Sequence, residues 1–246
     1  MTNLGVKVPA SPGRSRLAFA LDYPDVESAR ANAAQLAEYV GVLKVGLELF
    51  VREGPKATQF GLKLGCEVFL DLKLHDIPET VERAVANACQ LGVRYLTLHA
   101  SGGPRMLAQA ANRVRKEGVS LTLLAVTVLT SLDESDLLAV GVIKSPADQV
   151  LGLARMASSV GIAGFVCSAA EVGRLRAELG QTAVLVTPGI RPSGPGADDQ
   201  KRVATPTSAI RSGSSILVVG RPIRDAKDPV GAARAIEQEI TLAAAT

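Results

Sequence analysis

Tryptophan is absent from this chain, and the other aromatics amount to five phenylalanines and three tyrosines. A core must therefore be built from Val, Leu, Ile and Ala, and hydrophobic residues at 47% of 246 positions are enough for one. Cysteine is scarce too. Cys66, Cys89 and Cys167 are odd in number, scattered and without CxxC spacing, which excludes a disulfide frame or a zinc ribbon and fits a reducing compartment. Each reads as a small apolar packing residue. His75 and His99 are the only histidines, too few for a multi-histidine metal centre. Residues 1–16 hold charges and prolines but no apolar h-region, so no signal peptide is expected. No apolar run reaches 18 residues, so no membrane span is expected. The net charge of +3 gives no basic field for nucleic acid, although so small an excess can still concentrate in a pocket for an anionic ligand. These absences together point to a cytoplasmic protein.

What is present is alternation. After an arm over residues 1–16, expected to be loosely held, Leu17–Leu21 is an apolar run ending at Asp22. An Ala-rich helical pattern follows to about Val40. Further apolar runs are Val42–Gly46, Glu67–Lys73, Tyr95–His99, Leu121–Val126, Gly164–Cys167, Ala183–Val186 and Ile216–Val219. Helical patterns follow them over Glu48–Phe60, Pro78–Leu91, Pro104–Glu117, Ser135–Val140 with Pro146–Val160, Ala169–Leu179, 206–212 and Pro229–Ala244. Continuously apolar strands suit parallel strands covered on both faces. Eight such β/α units suit a single-domain (β/α)8 TIM barrel over 17–246, since that fold typically takes about 250 residues. An open doubly wound sheet is the alternative. No Gly-x-Gly-x-x-Gly follows the first strand, and no Walker loop occurs.

The stretch that organises the chain is Phe69-Leu70-Asp71-Leu72-Lys73-Leu74-His75-Asp76-Ile77-Pro78. On a regular strand Asp71 and Lys73 point the same way, roughly 6–7 Å apart, and Asp76 falls in the strand-to-helix loop. A carboxylate pair around a lysine keeps all three charged. Such a trio repels an anionic group placed beside Asp71 and holds a proton on Lys73 for delivery there. The bland alternative is a solvated strand end carrying a surface ion pair. The other strand ends weigh against it. They carry Asp22, Lys44, His99, Thr130 with Ser131, and Gly220 with Arg221, and barrel chemistry sits where strands end.

Thr187 to Gln200 is the longest stretch without a periodic pattern, rich in Gly and Pro and carrying Arg191 and Gln200. Long loops in compact domains are usually functional or disordered. Barrel phosphate sites are often built from the loops after strands seven and eight, and arginine offers phosphate a bidentate fork. Arg191, Gly220 and Arg221 therefore predict a phosphorylated small molecule, with chemistry at strands one to three.

Six segments, in order over residues 17–223, resemble the orotidine 5′-phosphate decarboxylase family. They are Ala20-Leu21-Asp22, Leu43-Lys44-Val45-Gly46, the ten residues Phe69–Pro78, Thr187–Pro192, Asp199-Gln200 and Val218–Ile223. The resemblance implies decarboxylation of orotidine 5′-phosphate (OMP) to UMP and CO2 in de novo pyrimidine biosynthesis. It makes Lys73 the acid that protonates C6, sets Asp71 against the substrate carboxylate, and gives the ribose hydroxyls to Lys44 and Asp22. It sends Asp76 and Thr80 into the neighbouring subunit's site, which implies a homodimer. Thr130 is placed at the pyrimidine edge, and Arg191, Gln200, Gly220 and Arg221 at the phosphate. It implies no metal and no organic cofactor. Two rivals stand beside it. One is the magnesium-dependent branch acting on hexulose and ketogulonate phosphates, which carries a carboxylate where this chain has Lys44. The other is a non-catalytic nucleotide-binding barrel. His75 and His99 read as packing or supporting residues.

Overall fold

A computed structural model describes residues 11–192 and 204–245. Eight strands form one closed parallel barrel in chain order. They are β1 (Leu17–Ala20), β2 (Val42–Val45), β3 (Glu67–Leu74), β4 (Tyr95–His99), β5 (Thr122–Val126), β6 (Gly164–Val166), β7 (Val184–Thr187) and β8 (Ile216–Val219). Around them run helices α1 (Pro12–Arg16), α2 (Val26–Leu36), α3 (Leu47–Glu53), α4 (Lys56–Lys63), α5 (Pro78–Gln90), α6 (Gly103–Glu117), α7 (Glu134–Ala139), α8 (Pro146–Ser159), α9 (Ala169–Leu179), α10 (Pro206–Arg211), α11 (Arg221–Arg224) and α12 (Pro229–Ala244). This is the single-domain (β/α)8 barrel, and β8 pairing with β1 excludes the open sheet.

The strands are apolar on both sides because they face two cores. Ala18, Val42, Phe69, Tyr95, Leu124, Ile216 and Val218 fill the barrel interior. The opposite parity, Leu17, Phe19, Leu43, Leu70, Leu96 and Leu217 among others, packs under the helices. Small aliphatic residues can fill the inner layer without tryptophan, as barrel interiors favour branched side chains.

Three local departures from the sequence reading have physical causes. The expected helix Glu48–Phe60 is two helices. Gly54 takes a left-handed φ of 60° between α3 and Pro55, and proline cannot continue a helix interior. Part of the expected loose arm is helical. Ser11 caps α1 by accepting the Arg14 N–H, its hydroxyl bonds the Glu237 carboxylate, and the Gly13 N–H bonds Thr241 Oγ1 at 3.0 Å. A Cβ on Gly13 would lie 2.1 Å from the Glu237 carbonyl oxygen, so glycine is what lets α1 seat on α12. Residues 1–10 lie outside the described residues. Finally, β3 is longer than its neighbours and irregular: its register with β4 shifts between Leu70 and Leu74, and Lys73 adopts φ 51°.

Candidate active site

A cavity of about 330 Å³ opens at the carboxyl ends of the strands. β1 ends two residues before Asp22, β2 carries Lys44, and β3 carries Asp71 and Lys73. The four charges alternate in sign. Lys44 Nζ lies 3.4 Å from Asp22 Oδ1 and 3.7 Å from Asp71 Oδ2. Lys73 Nζ donates to both Asp71 oxygens at 2.9 Å. Lys44 is only 9% exposed, and a buried charge is costly unless it is paired in this way. Glycine at 46 makes room for it: a Cβ there would sit 3.2 Å from Lys44 Nζ.

The backbone through Asp71 and Lys73 is not that of a regular strand. The register shift and the left-handed backbone at Lys73 fold the lysine side chain back onto its own strand. The ammonium thereby meets both oxygens of Asp71, two residues back on the same strand.

The opposite wall is apolar. Val126, Val166, Val186 and Val218 line it from four successive strands, with Ile190 and Leu129 at the rim. Such a wall suits the face of a flat ring, and the alternating charges beside it can stabilise charge that develops near Lys73. Thr130 lines the same cavity after β5, Arg191 after β7, and Gly220 and Arg221 after β8. Neither arginine is salt-bridged to a carboxylate among the described residues.

Two expected residues are not brought together with these. Asp76 is exposed, accepts the Ile77 N–H at 2.6 Å, and does not line the cavity of its own chain; exposed Thr80 does not either. Gln200 lies outside the described residues. His75 and His99 pack ring to ring at 5.5 Å. Burial, then the neighbouring His75 and Lys73, hold the His99 imidazole below its ordinary pKa, with Asp71 opposing. Among the described residues no group of three or more His, Cys, Asp or Glu side chains could hold a metal ion.

One residue escaped the sequence reading. Thr97, fully buried, donates to Asp71 Oδ1 at 2.9 Å and accepts the Lys73 N–H at 2.9 Å. The signal was there: Thr97 is the single aliphatic hydroxyl in Tyr95-Leu96-Thr97-Leu98-His99, at the same parity as inward-facing Tyr95.

Residues 15–236 match the family described as orotidine 5′-phosphate decarboxylase / HUMPS. The orotidine 5′-phosphate decarboxylase of Anaeromyxobacter sp. (strain K) is 52% identical over 221 residues, covering 90% of this chain and 96% of the relative. That of Chromohalobacter salexigens is 49% identical over 224 residues, covering 91% and 95%. In three dimensions the chain is similar to the crystal structure of orotidine 5′-phosphate decarboxylase from Lactobacillus acidophilus. The TM-score is 0.80 at 37% identity, over 91% of this chain and 98% of that one.

Proposed function

The chain belongs to the orotidine 5′-phosphate decarboxylase / HUMPS family, and from that premise we propose that it converts OMP to UMP and CO2 in pyrimidine biosynthesis. Relatives named for that activity at about half identity over nearly the whole chain support this reading of the family over its sugar-phosphate branch. The position of Lys44 supports it as well. An ammonium 3.4 and 3.7 Å from the two carboxylates occupies the place where a divalent cation would need a negative ligand.

The observation that carries the mechanism is the Lys73 ammonium, held 2.9 Å from both Asp71 oxygens beside the valine wall. In the proposed step the bond between C6 and the carboxylate breaks. Its electron pair stays on C6, where no ring carbonyl can take it up by conjugation, and CO2 leaves. A fixed ammonium stabilises charge that appears at C6 only in the transition state. Lys73 then gives its proton to C6 and is reprotonated from water. Asp71 faces the departing carboxylate, Lys44 and Asp22 take the ribose hydroxyls, and Thr130 meets the pyrimidine edge. Arg191, Gln200, Gly220 and Arg221 hold the phosphate, whose binding energy is available to close the site. Asp76 and Thr80 complete the partner subunit's site in a homodimer. The reaction uses no metal and no organic cofactor.

The test is ultraviolet absorbance of OMP mixed with the purified protein in excess EDTA. Loss of the orotate band with formation of UMP is expected. Turnover that appears only when magnesium is added, with a sugar phosphate as substrate, would overturn the reading in favour of the other branch. Tight UMP binding without turnover of OMP would leave a nucleotide-binding barrel.

A further inference from the structure

Among the described residues Lys73 is the one non-glycine residue with a positive φ. A left-handed backbone is disfavoured for an L-residue, so the surroundings must hold it there. The sheet does not. The β3–β4 ladder loses register between Leu70 and Leu74, and the Lys73 N–H goes to a side chain, Thr97 Oγ1, at 2.9 Å. The same hydroxyl donates its proton to Asp71 Oδ1 at 2.9 Å. The direction follows from chemistry: an ionised carboxylate only accepts, and an amide only donates. Asp71 in turn takes the Lys73 ammonium on both oxygens. The hydrogen bonds close a ring that leaves the Lys73 backbone, passes through Thr97 and Asp71, and returns to the Lys73 side chain.

We propose that Thr97 is a positioning residue for the reaction, its one hydroxyl fixing both the strained backbone and, through Asp71, the ammonium of Lys73. This rests on the decarboxylase reading above. Thr97 is fully buried and does not line the cavity, so it acts through its two neighbours. Bulk water has no access to replace it. With Oδ1 tied to Thr97, the carboxylate cannot rotate about its Cβ–Cγ bond. Oδ2 is thereby kept toward Lys44, at 3.7 Å. Aim of this kind matters because misplacement of a reacting group by about 1 Å can cost on the order of 100-fold in rate.

Thr97→Val keeps the shape and deletes the hydroxyl, Thr97→Ser keeps the hydroxyl, and Thr97→Ala deletes it without adding a methyl. Two readouts are made on each full-length variant: kcat and KM for OMP, and amide hydrogen exchange at Lys73. Thr97→Val and Thr97→Ala are expected to lower kcat by roughly 10- to 100-fold, with KM near that of the unmodified protein. Thr97→Ser is expected to restore most of kcat. Exchange at Lys73 should quicken in Val and Ala but not in Ser. Unchanged kcat in Val and Ala would overturn the proposal. So would equal losses in Ser, Val and Ala, which would mark a packing role. If the unmodified protein does not turn over OMP, the decarboxylase reading fails, and the exchange measurement still decides whether Thr97 holds the Lys73 backbone.

Discussion

Asp71 and Lys73 could be picked out at the level of single residues because two charges interrupt one apolar run, Val68 to Leu74. What could not be read was their mutual geometry. Strand periodicity puts them on one side of the strand, but it shows neither the left-handed backbone at Lys73 nor the ammonium 2.9 Å from both Asp71 oxygens. No residue preference announces a positive φ at lysine, so this part of the site is visible only in three dimensions. Thr97 was missed for a related reason. A lone threonine in a strand has no motif, and its worth depends on what the neighbouring strand places opposite it. His99 permits a prediction at this scale. Burial and the nearby Lys73 and His75 depress its pKa from 6.5, so the folded chain binds fewer protons than the unfolded one as pH falls. Stability is then complete above the unfolded histidine value and is lost as pH drops through the folded one. Melting temperature is expected to fall as pH drops below about 6.5, and His99→Gln to flatten that slope. An equal slope in both proteins would assign the acid sensitivity to other groups.

Elements were legible where two signals agreed and blurred where local backbone chemistry intervened. All eight strands were read from their apolar runs within a residue or so of their observed ends, because both faces are buried and the hydrophobicity is uninterrupted. Helices with a clear start followed: Pro78 opens α5, Pro146 with the Ser145 cap opens α8, and Pro229 with the Asp228 cap opens α12. The break at Gly54-Pro55 was written in the sequence and was passed over, since apolar residues continue on both sides of it. α1 was not readable. Five residues are too few for helical periodicity, and its stability comes from contacts more than two hundred positions away, Ser11 to Glu237 and Gly13 to Thr241. α11 is shorter still, yet it has a use in the site: Arg221 begins it at the cavity, and Arg224 bonds the carbonyl oxygen of Asp22 at 3.1 Å. One short helix thus ties the loop after β8 to the loop after β1.

For the whole molecule, the order of eight β/α units implied closure, and closure brings Asp22, Lys44, Asp71, Arg191 and Arg221 to one mouth. What a single chain does not gather is Asp76 and Thr80. Their side chains are exposed on the loop and first turn after β3, next to Ile77, which is 65% exposed. An exposed isoleucine between a carboxylate and a helix start suits a surface that another copy covers. Complementation tests this. Lys73→Ala and Asp76→Ala are each expected to lose activity alone. Mixed and allowed to exchange subunits, they should regain roughly a quarter of full activity, since half the dimers are mixed and each has one intact site. Failure to regain activity, with exchange verified, would return Asp76 to its own chain's site.

The left-handed backbone at position 73 sets inheritance against comfort. Conformation there favours glycine, while the proposed chemistry demands lysine. Once the lysine is gone, the usual ranking of replacements should invert: Lys73→Gly is expected to melt higher than Lys73→Ala, by about 1 kcal/mol of relieved backbone strain. An alanine variant as stable as the glycine one would show that position 73 holds no strain. If the inversion holds, a copy of this barrel freed from selection for turnover would gain stability by drifting to glycine there. Under the proposed chemistry, lysine at 73 would then be kept against the preference of the fold that carries it.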